Sequence, residues 1–330
     1  MNARITLLGF TIATLMSVPL SLPLGATDLP LAAIWDSLRQ LGAGDPRVNL
    51  IVWELRMPRA LLAAGAGAGL ALAGLIMQTL LRNPLADPFI VGVSSGASLA
   101  AISVMLLDIG LWLGHYRLPL AGFSGSLFSL IMIWLLARKQ TDNLRLVLIG
   151  VAMSFFYTAL GSLMILSFAD HGLDAIYFWQ QGSVADAHWS TTAIMLGVLA
   201  LCGALLLRQQ DALNSLLLGE QKASSLGIDL PRLRWLLLGL AALLTGVSVA
   251  LCGIIGFVGL IVPHCCRLLL GDNHRLLLPA SLLLGAAYLT WVDALCRWLL
   301  APEELALSIL TALSAVPFFL YLVLRGQRSV

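Results

Sequence analysis

The stretch Pro58–Leu81, PRALLAAGAGAGLALAGLIMQTLL, decides the fold class. Its only charged residue is Arg59, and the apolar run that follows is as long as the ~20 residues a helix needs to cross a membrane. Gly65, Gly69 and Ala73 recur every four residues, and such a stripe of small residues lets helix backbones approach closely in lipid. The stretch therefore predicts a tightly packed membrane-spanning helix.

The rest of the chain has the same character. Of its 330 residues, 59% are hydrophobic and 11% are charged, against ~25% charged in an ordinary soluble domain. This composition excludes a soluble globular protein and a disordered one. We predict an all-α polytopic membrane protein, a single transmembrane domain over residues 1–330 with about ten transmembrane helices. The predicted spans are Ile5–Leu24, Pro58–Leu81, Phe89–Leu107, Leu118–Ala137, Leu144–Phe168, Ser190–Leu207, Leu233–Gly253, Ile254–Leu270, Leu276–Leu300 and Leu305–Leu324.

Two of these runs are unusual. The first has one arginine, an apolar stretch and then Leu24-Gly25-Ala26, so it is either a retained helix, which we favour, or a cleaved signal peptide. The eighth is short and glycine-rich at its start, with Gly253, Gly256 and Gly259. A broken or tilted helix is expected there.

The distribution of basic residues predicts the orientation. With ten spans both termini lie on one side, and most of the 19 Lys and Arg residues fall on the side of the termini. The positive-inside rule therefore predicts that both termini are cytoplasmic. The net charge of +2 is too small to indicate a nucleic-acid partner.

Catalytic and energy-coupling motifs are missing from the sequence. It has no P-loop and no hydrolase or metalloprotease motif, so we expect no catalytic residues, no metal site and no bound cofactor. The five cysteines lie in or beside apolar runs and are interpreted as small hydrophobic residues. Asp293 is the one carboxylate within a predicted span, near the outer end of the ninth, and its spacing to Arg297 suits an i,i+4 ion pair. A carboxylate inside a span is either functional or, as we favour for a paired one near an interface, structural. Since the spans hold neither a catalytic set nor a relay of ionisable residues, we expect any energy source to lie in another subunit.

The segment 209–232, between the sixth and seventh spans, predicts two short helices on the cytoplasmic side. Gly219 and Gly227 are natural stops, and Asp211 is a candidate N-cap. The apolar residues Leu213, Leu216 and Leu217 would then form one face. Such a face fits a groove on a partner protein, which we favour, or a membrane surface.

Two further regions contain charged or polar residues that a lipid-facing helix does not need. On the outer side, Arg56, Arg59 and Arg297 either dock an acidic patch of a soluble partner or pair locally, for example Arg56 with Glu54 or Asp45. On the inner side, the proline-rich segment 81–88 predicts a rigid turn. The segment 92–98 follows it. Its Ser94 and Ser95 either allow close helix packing or line a hydrated pathway.

Several of these segments resemble the FecCD family of ABC importer permeases, which serve ferric siderophores, haem and vitamin B12. The similar motifs are Leu55-Arg-Met-Pro-Arg59, Leu81-Arg-Asn-Pro-Leu-Ala-Asp-Pro88, Gly92-Val-Ser-Ser-Gly-Ala97, Gly253-Ile-Ile-Gly-Phe-Val-Gly-Leu-Ile-Val-Pro-His264 and Asp272-Asn-His-Arg-Leu-Leu-Leu-Pro279. The resemblance implies a homodimer in the lipid of the bacterial inner membrane. It also implies two cytoplasmic subunits that bind ATP and Mg, and a periplasmic substrate-binding protein.

The resemblance also assigns roles to residues. It implies coupling to the ATPase subunits through Leu213, Asn214, Leu216, Leu217, Gly219, Glu220, Ser224 and Gly227, and docking of the binding protein at Arg56, Arg59 and Arg297. Pathway or gate positions are Asn83, Leu85, Ser94, Ser95, Asn143 and Leu144. The sequence departs from the family pattern at Ala306, Ser308 and Ala315. The expected cargo is an iron complex (ferric siderophore or haem) or vitamin B12. The alternative is an ATP-independent channel or secondary transporter for a small solute.

Overall fold

The structure is a computed structural model that describes residues 3–25, 27–40, 42, 44–137, 143–168 and 173–326. Within these ranges the chain forms fifteen α-helices and no strand. The helices are α1 (Ala3–Ser21), α2 (Leu31–Arg39), α3 (Pro46–Asn49), α4 (Met57–Leu81), α5 (Val93–Leu106), α6 (Arg117–Ala137), α7 (Asn143–Ser167), α8 (Leu173–Gln180), α9 (Trp189–Arg208), α10 (Gln210–Leu217), α11 (Glu220–Ser225), α12 (Leu230–Cys252), α13 (Val258–Leu270), α14 (His274–Leu299) and α15 (Leu307–Gly326).

The predicted all-α membrane architecture is confirmed. In the described part of the chain, seven helices are long and apolar enough to cross a membrane. Three shorter apolar helices, Val93–Leu106, Val258–Leu270 and Leu307–Phe318, complete the set. Each of the ten overlaps one predicted span, since hydrophobic length alone determines where spans fall.

Helix α4 is the centre of the bundle, and nearly all of its length is buried by other helices. Its glycines explain how neighbours come so close: a Cβ added to Gly67 would collide with the carbonyl oxygen of Gly285 on α14. A Cβ on Gly74 would likewise collide with the carbonyl of Gly259 on α13. The predicted stripe at Gly65 and Gly69 faces α9 instead, where both glycines contact Met195. Small residues thus set close helix contacts on several sides of α4.

The expected break before the eighth span is confirmed. Helix α12 ends at Cys252 and α13 begins only at Val258. Gly253 has a φ of 70°, and its position leaves no room for a side chain beside the Trp179 carbonyl. The Ser183 amide donates to the Cys252 carbonyl at 2.8 Å and satisfies the end of α12.

The outer end contains helices that the hydrophobic pattern did not predict. Helix α3 leads through a π-helical segment, Leu50–Arg56, directly into α4, so this helix begins well before the predicted span at Pro58. Helix α2 contacts α3, and Leu22, Ile34, Val48 and Val52 form a small separate core. Helix α8 precedes α9. These elements are too short or too polar to register as apolar runs.

The first apolar run is a helix of the bundle. Helix α1 packs against α14, and the Thr14 hydroxyl donates to the Leu283 carbonyl at 2.8 Å. Ser17 and Ser21 are buried on the same helix. Most of the remaining surface of α1 is exposed to the surroundings, as expected for a peripheral helix in lipid.

Candidate functional site

Helices α4 and α14 run antiparallel and connect two polar regions at opposite ends of the bundle. Arg59 at the start of α4 and Arg297 near the end of α14 lie at the predicted outer end. Thr79 near the end of α4 and His274 at the start of α14 lie at the predicted inner end. The two central helices therefore reach both faces of the membrane protein.

Arg59 occupies the middle of the outer arginine cluster, which consists of Arg56, Arg59, Asp293, Arg297 and Glu304. Its Nε and Nη2 donate to Oδ1 of Asp293 at 3.0 and 2.8 Å. Its Nη1 and Nη2 donate to the two carboxylate oxygens of Glu304 at 2.9 and 2.8 Å. The planar guanidinium fork matches two carboxylates at once, which favours arginine over lysine at this position.

Arg297 and Arg56 hold the connection between α1 and α2. The Asp293–Arg297 pair predicted from the i,i+4 spacing is confirmed, with Arg297 Nε 3.1 Å from Asp293 Oδ2. Arg297 Nη1 also donates to the Leu24 carbonyl at 2.7 Å. Arg56 donates to the carbonyls of Leu22 and Thr27, each at 2.5 Å. The carbonyls of Leu22, Leu24 and Thr27 are therefore held by two guanidinium groups.

The three arginines do not project freely from the outer surface, as a simple docking surface would require. Arg56 and Arg297 are 6% and 4% exposed. The alternative pairing of Arg56 with Glu54 or Asp45 does not form among the described residues, because the Arg56 side chain turns towards the carbonyls of Leu22 and Thr27. Arg59 is covered by Glu304. Docking at Arg56, Arg59 and Arg297 remains a prediction. Of the three arginines, Arg59 is covered by a solvent-exposed side chain, that of Glu304.

At the inner end, α10 is attached to the start of α14 through Asn214. Its Oδ1 accepts from the His274 backbone amide at 2.8 Å and lies 3.0 Å from His274 Nδ1. The other ring nitrogen of His274 lies 2.8 Å from the Thr79 hydroxyl on α4. Arg275 and Asp211 form an exposed ion pair at 3.1 Å. Asn214 thus reaches both central helices, α14 directly and α4 through the imidazole.

Helix α11 is attached to α4 and α12 through Glu220. The Glu220 carboxylate lies 2.6 Å from Arg234 on α12 and 3.6 Å from Arg82, just after α4. The predicted stops are confirmed: α10 ends before Gly219 and α11 before Gly227, with φ values of 105° and 83° that favour glycine. The predicted N-cap is wrong, since Asp211 lies inside α10 and its carboxylate is used by Arg275.

The predicted apolar face of the 209–232 segment needs a correction. Leu213 and Leu216 are 1% and 5% exposed and belong to the core of the bundle, so they are not available to a partner. The exposed apolar side chains are Leu217, Leu218 and Leu226. Ser224 and Gly227 are also exposed. The spacing identified the helix correctly but assigned its buried face to a partner, because α10 lies against α14 and α4.

The predicted gate residues fall into three groups. Asn83 and Leu85 are exposed in the inner turn, where Asn83 Oδ1 accepts from the Leu85 amide at 2.9 Å. Ser94 is 2% exposed, with its hydroxyl unpartnered in the described part of the chain, and the Ser95 hydroxyl donates to the Gly92 carbonyl. Neither serine lines the large cavity at the outer end. The side chains of Asn143 and Leu144 lie outside the described residues.

The inner turn also contains a carboxyl in an unfavourable environment. Asp87 accepts from the Phe89 amide at 2.8 Å and caps the short helical turn that follows. Burial raises the pKa of Asp87 to about 6, because the loss of hydration outweighs that one hydrogen bond. No cation forms an ion pair with Asp87 in the part of the chain that the structure describes.

The large open cavity at the outer end, of about 1230 Å³, was not predicted. Its wall includes aromatic residues of α8, the 181–186 connection and the segment from Glu304 to Ala306. Gln181 and Ser308 join two sides of it by a hydrogen bond of 3.0 Å. Ala306 and Ser308, two departures from the family pattern, therefore lie at or beside the cavity. The described residues contain no group of three His, Cys, Asp or Glu side chains placed to hold a metal ion.

The sequence motifs and this geometry agree with comparisons to known proteins. The model of the FecCD transport family matches residues 13–325, nearly the whole chain. The chain belongs to the FecCD transport family. It is an ABC transporter permease of that family and a multi-pass membrane protein.

Relatives of this FecCD permease are named for different transported molecules. The vitamin B12 import permease BtuC of Vibrio cholerae is 40% identical over 295 residues, covering 89% of this chain and 86% of that protein. The hemin transport permease HmuU of Yersinia pestis is 38% identical over 340 residues, covering 100% and 99%. Such similar identities do not choose between the two cargoes.

A solved structure supports the fold over the same length. It is assigned to the metal-chelate type of ABC transporter in an inward-facing conformation and is 34% identical to this chain. The TM-score is 0.85, with 97% of this chain and 98% of that chain covered. The arrangement of helices α1–α15 is therefore that of an ABC transporter permease.

Proposed function

We propose that this FecCD permease is the membrane subunit of a binding-protein-dependent ABC importer in the bacterial inner membrane. In the proposed assembly it forms a homodimer with its termini in the cytoplasm. The observation that carries the proposal is the 209–232 segment. Two short helices leave the bundle at one end, are bonded to α4, α12 and α14, and expose apolar residues that this chain does not cover.

The exposed part of this segment is suited to an ATPase partner. Leu217, Leu218 and Leu226 are 42%, 59% and 63% exposed beside the polar Ser224. A short helix with exposed apolar anchors fits helix-in-groove recognition. In the proposal, two cytoplasmic subunits bind ATP and Mg, and their movement reaches α14 through Asn214 and α12 through Glu220. This chain supplies the path and the partners supply the energy.

The outer end is the proposed entry for the cargo. The cavity of about 1230 Å³ is larger than the ~300–1000 Å³ of pockets that hold drug-sized molecules. We propose as cargo an iron complex, ferric siderophore or haem, or vitamin B12, delivered by a periplasmic substrate-binding protein. The size of the cavity and the names of the relatives support this class.

Assembly with defined partners tests the proposal. The chain is purified together with the ATPase subunit and the substrate-binding protein encoded in the same genome, and their association in lipid nanodiscs is measured. A Leu218→Glu variant should lose the ATPase subunit while keeping its thermal stability. The matched control is Gln221→Glu, which introduces the same charge at an exposed polar position of the same segment without removing an apolar side chain.

The outcome separates the two candidate functions. An importer permease retains the ATPase subunit, and its binding protein stimulates ATP hydrolysis. A channel or secondary transporter would move solute equally well without any ATPase subunit. That result would exclude the importer proposal.

A further inference from the structure

The imidazole of His274 lies between two helices other than its own. Its Nδ1 is 3.0 Å from Oδ1 of Asn214 on α10, and its Nε2 is 2.8 Å from the hydroxyl of Thr79 on α4. His274 is 0% exposed and Thr79 is 2% exposed. The ring therefore forms a buried connection between the 209–232 segment and the last turns of α4.

The contacts of Asn214 determine which ring nitrogen of His274 carries the proton. The Asn214 amide nitrogen donates to Oδ1 of Asn273 at 3.1 Å, and that oxygen also accepts from the Arg275 amide. Asn214 Oδ1 accepts from the His274 backbone amide at 2.8 Å. The Asn214 side chain is thus oriented by both of its ends, and its oxygen can only accept. Nδ1 of His274 is therefore the protonated nitrogen.

The His274 ring carries no second proton. A fully buried imidazolium is costly unless a carboxylate compensates its charge, and His274 forms no ion pair in the part of the chain that the structure describes. Nε2 is then the unprotonated nitrogen, and a buried acceptor of this kind needs a hydrogen-bond donor. The Thr79 hydroxyl lies within reach and can supply that hydrogen bond.

The Thr79 hydroxyl has one proton and two neighbouring acceptors. It is 2.8 Å from Nε2 of His274 and also 2.8 Å from the carbonyl oxygen of Leu75, one turn earlier on α4. A hydroxyl donates to one of them at a time. Donation to Nε2 ties α4 to α14 and, through the ring, to α10. Donation to the Leu75 carbonyl keeps the hydroxyl paired inside its own helix when the ring moves away.

We infer that His274 is a positioning residue of the transport cycle, held as the Nδ1–H tautomer, and that movement of α10 turns the Thr79 hydroxyl from Nε2 to the Leu75 carbonyl. This rotation releases the last turn of α4, which leads directly into the inner turn. The inference rests on the proposed function, in which ATPase subunits move the 209–232 segment. It adds which group passes that movement to α4 and where the proton lies.

The tautomer is measured by ¹⁵N NMR of the full chain in lipid nanodiscs, with histidine as the labelled residue. His274→Gln identifies the signals of this ring by their loss. The expected spectrum at neutral pH has a protonated Nδ1 and an unprotonated Nε2. In Thr79→Val the Nε2 signal should shift, because its donor is gone, while Nδ1 stays protonated. A proton on Nε2, or on both nitrogens, would overturn the inference whether or not the chain transports.

The role in transport is measured as uptake per ATP in the assembled transporter. Thr79→Val should lower this ratio about two- to tenfold, the change in population that follows from the loss of one ordinary hydrogen bond. Thr79→Ser keeps the hydroxyl and should restore the wild-type ratio. The matched control is Thr290→Val on α14, since this buried hydroxyl donates to the Ala286 carbonyl of its own helix at 2.8 Å. The control should leave the ratio unchanged.

Failure of the inference and failure of the proposed function give different results. If uptake per ATP were the same in Thr79→Val and Thr290→Val, the role of His274 would be overturned while the importer function stood. If the wild-type complex showed no ATP-dependent uptake, the proposed function would fail, and the role of His274 with it, whatever the tautomer.

Discussion

The two ends of the α4–α14 pair hold their connections by different physical means. At the outer end, Asp293 is fully buried and bridges two arginines. At the inner end, Asn214 and His274 provide neutral hydrogen bonds, and each ion pair there has a solvent-exposed partner. Buried charges must remain paired, whereas exposed pairs and single hydrogen bonds break at low cost. The outer end is therefore the more rigid one, apart from Glu304, and the inner end can follow a moving partner.

Removal of the buried carboxylate should have the largest effect. Asp293→Ala leaves Arg59 and Arg297 without their shared partner, and we expect a loss of about 3–5 kcal/mol in unfolding free energy. The measurement is thermal unfolding of the purified chain in detergent. Asp211→Ala is the inner-end control, because its pair with Arg275 is exposed, and it should cost less than about 1 kcal/mol. Equal losses would contradict the distinction between the two ends.

Separation of the two central helices should have the next largest effect. Gly67→Ala introduces a Cβ that collides with the Gly285 carbonyl, and overpacking of this kind costs about 1–3 kcal/mol. Gly239→Ala is the matched control on α12, since nothing lies within 4 Å of its added Cβ. It should be neutral or stabilising, because alanine is the better helix former. The unfolding temperature should therefore be lower for Gly67→Ala than for Gly239→Ala. Equal unfolding temperatures would contradict the tight contact between α4 and α14.

Loss of the Asn214 contact between α10 and α14 should lower the uptake per ATP more than it lowers the stability of the chain. Asn214→Ala removes the hydrogen bonds to His274 and Asn273, at a cost of about 1–3 kcal/mol. In the assembled transporter we expect ATP hydrolysis to continue while the uptake per ATP falls. The control is Gln221→Ala, an exposed residue of the same segment. Unchanged uptake per ATP in Asn214→Ala would show that α14 is not driven through this contact.

A pH titration should give the smallest effect and refine the comparison of carboxylates. Asp87 has no cationic partner in the described chain, in contrast to Asp293, and burial raises its pKa to about 6. Its pKa in the unfolded chain is ~3.9, so the folded state holds the proton more tightly and stability falls as pH rises from about 4 to about 6. Asp87→Asn keeps a cap for Phe89 and stays neutral. The substitution should remove this pH dependence and raise the free energy of unfolding by about 1 kcal/mol above pH 6. If the free energy of unfolding fell with pH as steeply in the variant as in the wild type, the raised pKa would be contradicted.

Local sequence patterns predicted the features that depend on neighbours in the chain. The apolar runs located the spans, the glycines at 253, 219 and 227 marked helix ends, and the i,i+4 spacing gave the Asp293–Arg297 pair. These features follow from hydrophobic length and helix geometry alone. None of them depends on which helices become neighbours in the folded bundle.

Contacts between residues far apart in the chain could not be predicted from the sequence. Arg59 and Glu304 are 245 positions apart, and no local pattern relates them. The face of α10 that carries Leu213 and Leu216 was assigned to a partner because helical spacing reveals an apolar face without revealing what covers it. The wall of the outer cavity combines connections with the ends of several distant helices, so only the folded chain brings its parts together.

The most direct test of the proposed importer function is ATP-driven uptake in proteoliposomes. The chain is reconstituted with its ATPase subunits, and vitamin B12, haem and a ferric siderophore are each offered with the substrate-binding protein outside. We predict accumulation of one of them only when ATP and Mg reach the ATPase subunits, and none when those subunits are omitted. Accumulation at the same rate without ATP or without the ATPase subunits would contradict the importer function.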